Sequence, residues 1–285
     1  MYYVALDLIA ALMLYLSWRR GVTPVKLGLL LTAGVLINAA DILFAGFLRW
    51  YAFRPGLIDD YWRDNYLGML LGDYLFVPVV VSTLVATARG WLRLAIAGAV
   101  VLPFALIEYT FEKLGMFAYH GWQLWMSFVA FPPMYVGLAH LSNLFERRAY
   151  AGWYRRLMVT ATVVYLWLLW GVAVGAAGRL VAVVPPLPWD YELCAVTGGM
   201  LLYLLPFLLV TVPAILYRRV RHWRGLLGYG LVVAVWTYLI ELTGWRQHHP
   251  FWLPMLDALS FAAIAAAASR IDRWFEAHDS QSGRA

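Results

Sequence analysis

The chain has 285 residues, of which 63% are apolar and only 13% charged, with a net charge of +6. Soluble domains hold about 45–50% apolar and about 25% charged residues, so this composition excludes an ordinary water-soluble globule and points to a bilayer. The single cysteine, Cys194, excludes an intrachain disulfide.

A helix needs about 20 mostly apolar residues to cross a membrane. On that criterion the sequence predicts nine spans, roughly 2–18, 27–48, 66–87, 92–109, 124–145, 157–178, 194–217, 225–244 and 253–269. Met1 is followed at once by Tyr2, Tyr3 and Val4 with no basic segment, and the first positives are Arg19 and Arg20. The first run therefore reads as a retained helix with an exported N-terminus, not as a cleavable leader. Of the Lys and Arg residues, 16 fall after odd-numbered spans, counting Arg93 at the very start of the fourth span with the connection before it, and 6 after even-numbered ones. Basic connections stay in the cytoplasm, which predicts N-terminus out, C-terminus in, and residence in the cytoplasmic membrane. The basic residues thus mark topology and give no nucleic-acid footprint. One transmembrane domain, 1–269, followed by a cytoplasmic tail, 270–285, is the expected organisation. In the tail R-I-D-R-W-F-E begins as a surface helix and D-S-Q-S-G-R-A frays. The fold class is an all-α polytopic bundle.

The central stretch I-E-Y-T-F-E-K-L-G-M-F-A-Y-H-G-W-Q-L-W, 107–125, joins two of these spans, and I-E-L-T-G-W-R-Q-H-H-P-F-W, 240–252, echoes it. Such an echo suggests hairpins repeated about an axis along the membrane normal. Prolines interrupt several spans. Pro103, five residues before Glu108, is expected to kink its helix, and Pro132-Pro133 to break or bend the fifth span.

Carboxylates within a bilayer cost about 2.5–3.5 kcal/mol on insertion scales and usually face a bundle interior or a wet cavity. Asp41, Asp73, Glu108, Glu241 and Asp257 all lie in spans or at their edges, in the outer half on this topology, with Asp7 in the first. Four of them, Asp41, Asp73, Glu108 and Glu241, are expected to converge on an outward-facing pocket. His120, Trp122 and Trp125 are its expected neighbours, and Asp257 is a further candidate. His120, His248 and His249 lack any metal-binding spacing, so no metal and no cofactor is expected. His140 and Asn143 suit a helix-packing hydrogen bond. Tryptophans 122, 125, 245 and 252 suit an interfacial belt or the wall of a pocket for a flat or cationic ligand.

Tyr74, Pro78, Glu108, Glu112-Lys113, Tyr119, Trp122 and Trp125 together resemble the pattern of an uncharacterised family of small bacterial integral membrane proteins, frequent in spore-forming Firmicutes. The likeness covers roughly the third to fifth spans and implies topology without an activity. Asp41, the aromatic run 50–53 and Gly72-Asp73-Tyr74-Leu75-Phe76 resemble, more weakly, the three-helix repeat of lycopene cyclase-type membrane enzymes. The paired glutamates of that repeat are missing here.

The soluble-enzyme signatures G-x-x-x-x-G-K-[ST] and G-x-S-x-G are absent, and Lys26 and Lys113, the only lysines, lie outside the spans. The expected role is binding or transport of a small or lipid-phase ligand, with catalysis left open and less favoured. An enzyme on an isoprenoid or carotenoid, and a non-catalytic envelope or sporulation assembly protein, are the alternatives.

Overall fold

The computed structural model describes residues 2–59, 61–147, 152–176, 182–183 and 253–282, with ten positions between 225 and 247. It is mostly helical, as a chain that must satisfy its backbone inside lipid has to be. Two compact units, Met1–Ala149 and Tyr150–Ala285, divide it.

The first unit runs α1 (Tyr2–Arg19), α2 (Pro24–Asp41), π1 (Ile42–Phe47), β1 (Tyr51–Phe53), α3 (Tyr61–Met69), π2 (Leu70–Phe76), α4 (Val77–Val85), α5 (Gly90–Ala99), α6 (Val101–Lys113), β2 (Phe117–Tyr119) and α7 (Leu124–Arg147). Its core is aliphatic, built where α2, α4, α5 and α7 meet through Leu29, Ala33, Val81, Val85, Ala97 and Ala139. The second unit contains α8 (Gly152–Ala176), β3 (Ala182–Val183), β4 (Arg246–Gln247) and α9 (Leu253–Ser282).

Five helical runs are long and apolar enough to cross a bilayer, Pro24–Ala45, Arg63–Val85, Gly90–Lys113, Leu124–Asn143 and Gly152–Ala173. They match the second to sixth expected spans. The first and ninth expected spans are helical, as α1 and α9, but do not reach that standard among the described residues. The span at 194–217 lies outside the described residues, and the one at 225–244 is described only at scattered positions.

Several local expectations change. The third span is three segments, because π2 interrupts it before Pro78 enters α4 near its start, where a missing N–H is harmless. A helix boundary falls at Val100, three residues before Pro103, which lacks the N–H that would bond back to the preceding turn. Pro132 and Pro133, by contrast, sit inside one continuous 24-residue helix, α7, so the expected break does not occur. The C-terminal segment is helical to Ser282 in α9. It is held because Asp272, fully buried, pairs with Arg155 of α8, which also reaches Glu276 at 2.8 Å.

The all-α expectation misses two antiparallel ribbons, β1 with β2 and β3 with β4. Strands of two or three residues are too short to leave a two-residue period in the sequence. Each ribbon has one strand just after an I-E-x-T segment, β2 after 107–110 and β4 after 240–243, so the echo in the sequence extends to the backbone.

Candidate functional site

The site of the first unit is assembled at the ribbon end of its helices. In β1–β2 the register sets Tyr51 opposite Tyr119 and Phe53 opposite Phe117. Opposed residues of an antiparallel pair share a face, as do residues two apart, so all four rings project to one side. They pack on each other, with Tyr51 and Phe117 stacked at 5.3 Å and Phe53 edge-on to Phe117 at 5.2 Å. The ribbon is tied down tightly. The backbone N–H groups of His120, Gly121 and Trp122 all donate to the Trp50 carbonyl at 2.8–2.9 Å, and the Tyr3 hydroxyl donates to the Met116 carbonyl at 2.9 Å. Asn65 accepts the Phe53 N–H at 2.8 Å, while Asp64 gathers the N–H groups of Gly56, Leu57 and Ile58. Gly68 lies so close beneath that a Cβ there would stand 2.3 Å from the Phe53 Cβ.

Beneath the ribbon is a cavity of about 80 Å³. A water needs about 10–15 Å³ of such space, so it has room for several waters or a ligand of a few heavy atoms. Three carboxyl groups from three separate segments line it: Asp41 from the end of α2, Asp73 from π2 and Glu108 from α6. Both aspartates sit at wide turns, Asp41 immediately before π1 and Asp73 within π2. A π turn inserts one residue and rotates the next stretch of helix by roughly 100°, which re-aims the side chains around each acid.

Each outer acid receives a tyrosine from the ribbon. The Tyr51 hydroxyl donates to Asp41 Oδ1 at 2.5 Å, and the Tyr119 hydroxyl to Glu108 Oε1 at 2.8 Å. Ser127 donates to Glu108 Oε2 at 2.7 Å and is itself held by the Trp122 indole N–H at 2.9 Å. Burial, and then the neighbouring charges of Asp41 and Asp73, push the Tyr51 hydroxyl well above its ordinary value. Burial followed by the Glu108 charge does the same to Tyr119. Both phenols therefore remain protonated donors.

Glu108 is thus satisfied on both oxygens. Asp41 is not. It is 2% exposed, and its buried Oδ2 has no donor beside it other than the Asp73 carboxyl. Asp73 is near enough to interact with it directly, and Tyr135 lies within electrostatic reach of all three acids. Among the described residues no Lys, Arg or His pairs with Asp41, Asp73 or Glu108. The remaining wall is aromatic, including Phe104, Phe111, Trp122 and Phe131.

The sequence-predicted residues divide accordingly. Asp41, Asp73, Glu108 and Trp122 come together on this cavity. His120 is exposed, and Trp125 is 56% exposed, its indole N–H donating to Gln123 Oε1 at 2.7 Å. Neither lines the cavity. Glu241 lies outside the described residues, and Asp257 lies on α9, its side chain outside what is described. Among the described residues no three His, Cys, Asp or Glu side chains are grouped to hold a metal ion. Asn143 does make helix-packing bonds, accepting from Arg93 at 2.8 Å and donating to the Gly90 carbonyl at 3.0 Å, whereas His140 is exposed. Sequence reasoning missed Tyr51, Tyr119, Ser127 and Tyr135 as members of the site. For Tyr119 the one available signal was its spacing, eleven residues after Glu108. Compared with protein-family models, curated proteins and solved structures, the chain matches none.

Proposed function

We propose that this is a multi-pass protein of the cytoplasmic membrane whose first unit receives a small ligand in the cavity under the ribbon, from the exported side. The observation that carries the reading is Asp41. A carboxyl group with 2% exposure, one oxygen of which meets only another acid, is costly inside a helix bundle. Such a group is retained where a ligand completes it. The convergence of Asp73 and Glu108 on the same space adds to this, because three acids on one small cavity cannot all ionise unless a cation enters.

The exported orientation is supported by the topology. α5 and α6 run from Arg89 at one end to the ribbon at the other, and the Lys and Arg distribution assigns the Arg89 end to the cytoplasm. Binding precedes any question of transport.

Calorimetry on the detergent-purified protein tests the reading, with a panel of small cationic, zwitterionic, anionic and neutral compounds and short isoprenoid alcohols. At least one compound is expected to bind saturably and to lose at least about tenfold in affinity in Asp73→Asn. Binding confined to the isoprenoid alcohols would turn the assignment toward the enzyme. Silence across the panel would contradict the ligand reading and leave an assembly role.

A further inference from the structure

The ligand reading rests on an incomplete acid, and the chemistry around that acid narrows what completes it. We infer that the ligand is a small primary ammonium ion, a protonated alkylamine of a few carbons; this deepens the proposed function and depends on it.

The first reason is charge. Asp41, Asp73 and Glu108 bring three acidic groups to one cavity, and no cation of the described chain pairs with them. An anionic ligand would oppose ionisation of these acids and a neutral one would leave it unfavourable, whereas a cation permits it. The second reason is hydrogen bonding. The buried Asp41 Oδ2 has no donor beside it except the neighbouring Asp73 carboxyl, so a ligand that donates to it replaces a contact between two acids. A –NH₃⁺ group supplies three donors, which can be shared among Asp41 Oδ2, the Asp73 carboxyl and the Tyr135 hydroxyl, the groups that face one another across the cavity. A quaternary ammonium has the charge but no N–H, and would leave Oδ2 as it is.

The third reason is the wall. Hard metal cations take six or more oxygen ligands in a regular shell, yet both oxygens of Glu108 are already committed to Tyr119 and Ser127. The rest of the lining is aromatic, with Phe104, Phe111, Trp122 and Phe131 presenting rings. Ring faces attract an organic cation and accommodate its carbon chain. At about 80 Å³, the space admits only a short chain.

The test uses the full-length protein in detergent near neutral pH. Ethylammonium chloride, tetramethylammonium chloride and potassium chloride are compared at equal ionic strength, by calorimetry and by thermal unfolding. Ethylammonium is expected to bind saturably and raise Tm. Tetramethylammonium is expected to be at least about tenfold weaker and potassium to do no more than ionic strength does. Asp41→Asn, which keeps the bond from Tyr51 and loses the charge, is expected to weaken ethylammonium at least about tenfold. Should that variant fail to fold, Tyr135→Phe serves, with a smaller loss for ethylammonium and none for tetramethylammonium. Equal binding of the two ammonium ions, or ethylammonium binding unchanged in the variants, would overturn the inference. If ethylammonium is silent while another class in the wider panel binds, the ammonium assignment falls and the ligand cavity stands. If nothing in the panel binds, both fall.

Discussion

Two buried aspartates, one in each unit, are treated in opposite ways. Asp272, wholly buried in the second unit, is met by the Arg155 guanidinium, which is only 26% exposed and also reaches Glu276. Asp41, 2% exposed in the first unit, is met by one tyrosine and otherwise by another acid, Asp73. The far end of the first unit repeats the Asp272 pattern. There Arg93, 1% exposed, donates to the Ala88 carbonyl, to Asn143 and to Glu146 at 2.8–2.9 Å. Arg93 and Asp272 thus have complete partnerships where charge serves packing, while Asp7 and Asp41 keep buried oxygens that no neutral or cationic donor meets. Of those two only Asp41 lines the cavity, and that position separates it from a structural acid.

The largest expected effect breaks the comparison from its complete side. Arg93→Met removes three hydrogen bonds, while Glu146 keeps Arg89 at 3.5 Å and Asn143 keeps the Gly90 carbonyl. A loss of about 3 kcal/mol is expected, from about 1 kcal/mol for each bond, read as a lower Tm in detergent; a change within error would mean that the Arg93 cluster is not structural. Next comes the support of the ribbon. Gly68→Ala places a Cβ 2.3 Å from that of Phe53, and overpacking of this kind costs about 1–3 kcal/mol. An unchanged Tm would show that β1 is not seated on α3.

A finer pair sharpens the contrast inside the cavity. Tyr51→Phe takes the Asp41 bond away entirely, whereas Tyr119→Phe leaves Glu108 its bond from Ser127. Both losses are expected near about 1 kcal/mol, with Tyr51→Phe the larger because it leaves a buried acceptor bare; the reverse order would contradict the assignment of Glu108 as the satisfied acid. The smallest effect is alkaline. Tyr51 and Tyr119 hold their protons more tightly folded than unfolded, so their contribution is whole below about pH 10, the unfolded value. It is lost as the pH climbs through the folded values. A Tm that falls above about pH 10 is expected, and should fall less in Tyr51→Phe; equal slopes would separate Tyr51 from that loss.

How much of this was legible beforehand depended on the physics each feature leaves in a sequence. A carboxylate in an apolar run is conspicuous because lipid penalises it, and so Asp41, Asp73 and Glu108 stood out. Trp122 stood out for its place after I-E-x-T. Their convergence depends on π1, π2 and a three-residue ribbon, none of which imposes a periodicity. Tyr51 and Tyr119 are 68 positions apart in the chain and meet only through strand register. Ser127 became part of the site by an i to i+5 bond from Trp122. Prolines 132 and 133 leave α7 unbroken, because a membrane helix can absorb the lost N–H groups. The polar look of R-I-D-R-W-F-E concealed its packing, since Asp272 and Phe275 are buried on α8 through Arg155 and Tyr154.

The most direct measurement is a paired one: Tm in detergent, without added ligand, for Asp41→Asn and Asp272→Asn. An asparagine at position 41 keeps an acceptor for Tyr51 and offers Asp73 a donor, so the variant is expected to match or exceed the parent, as site residues held against stability do. An asparagine at 272 loses its charge opposite Arg155 and is expected to cost about 3 kcal/mol. If Asp41→Asn falls as far as Asp272→Asn, Asp41 is a structural acid and the cavity is not a ligand site.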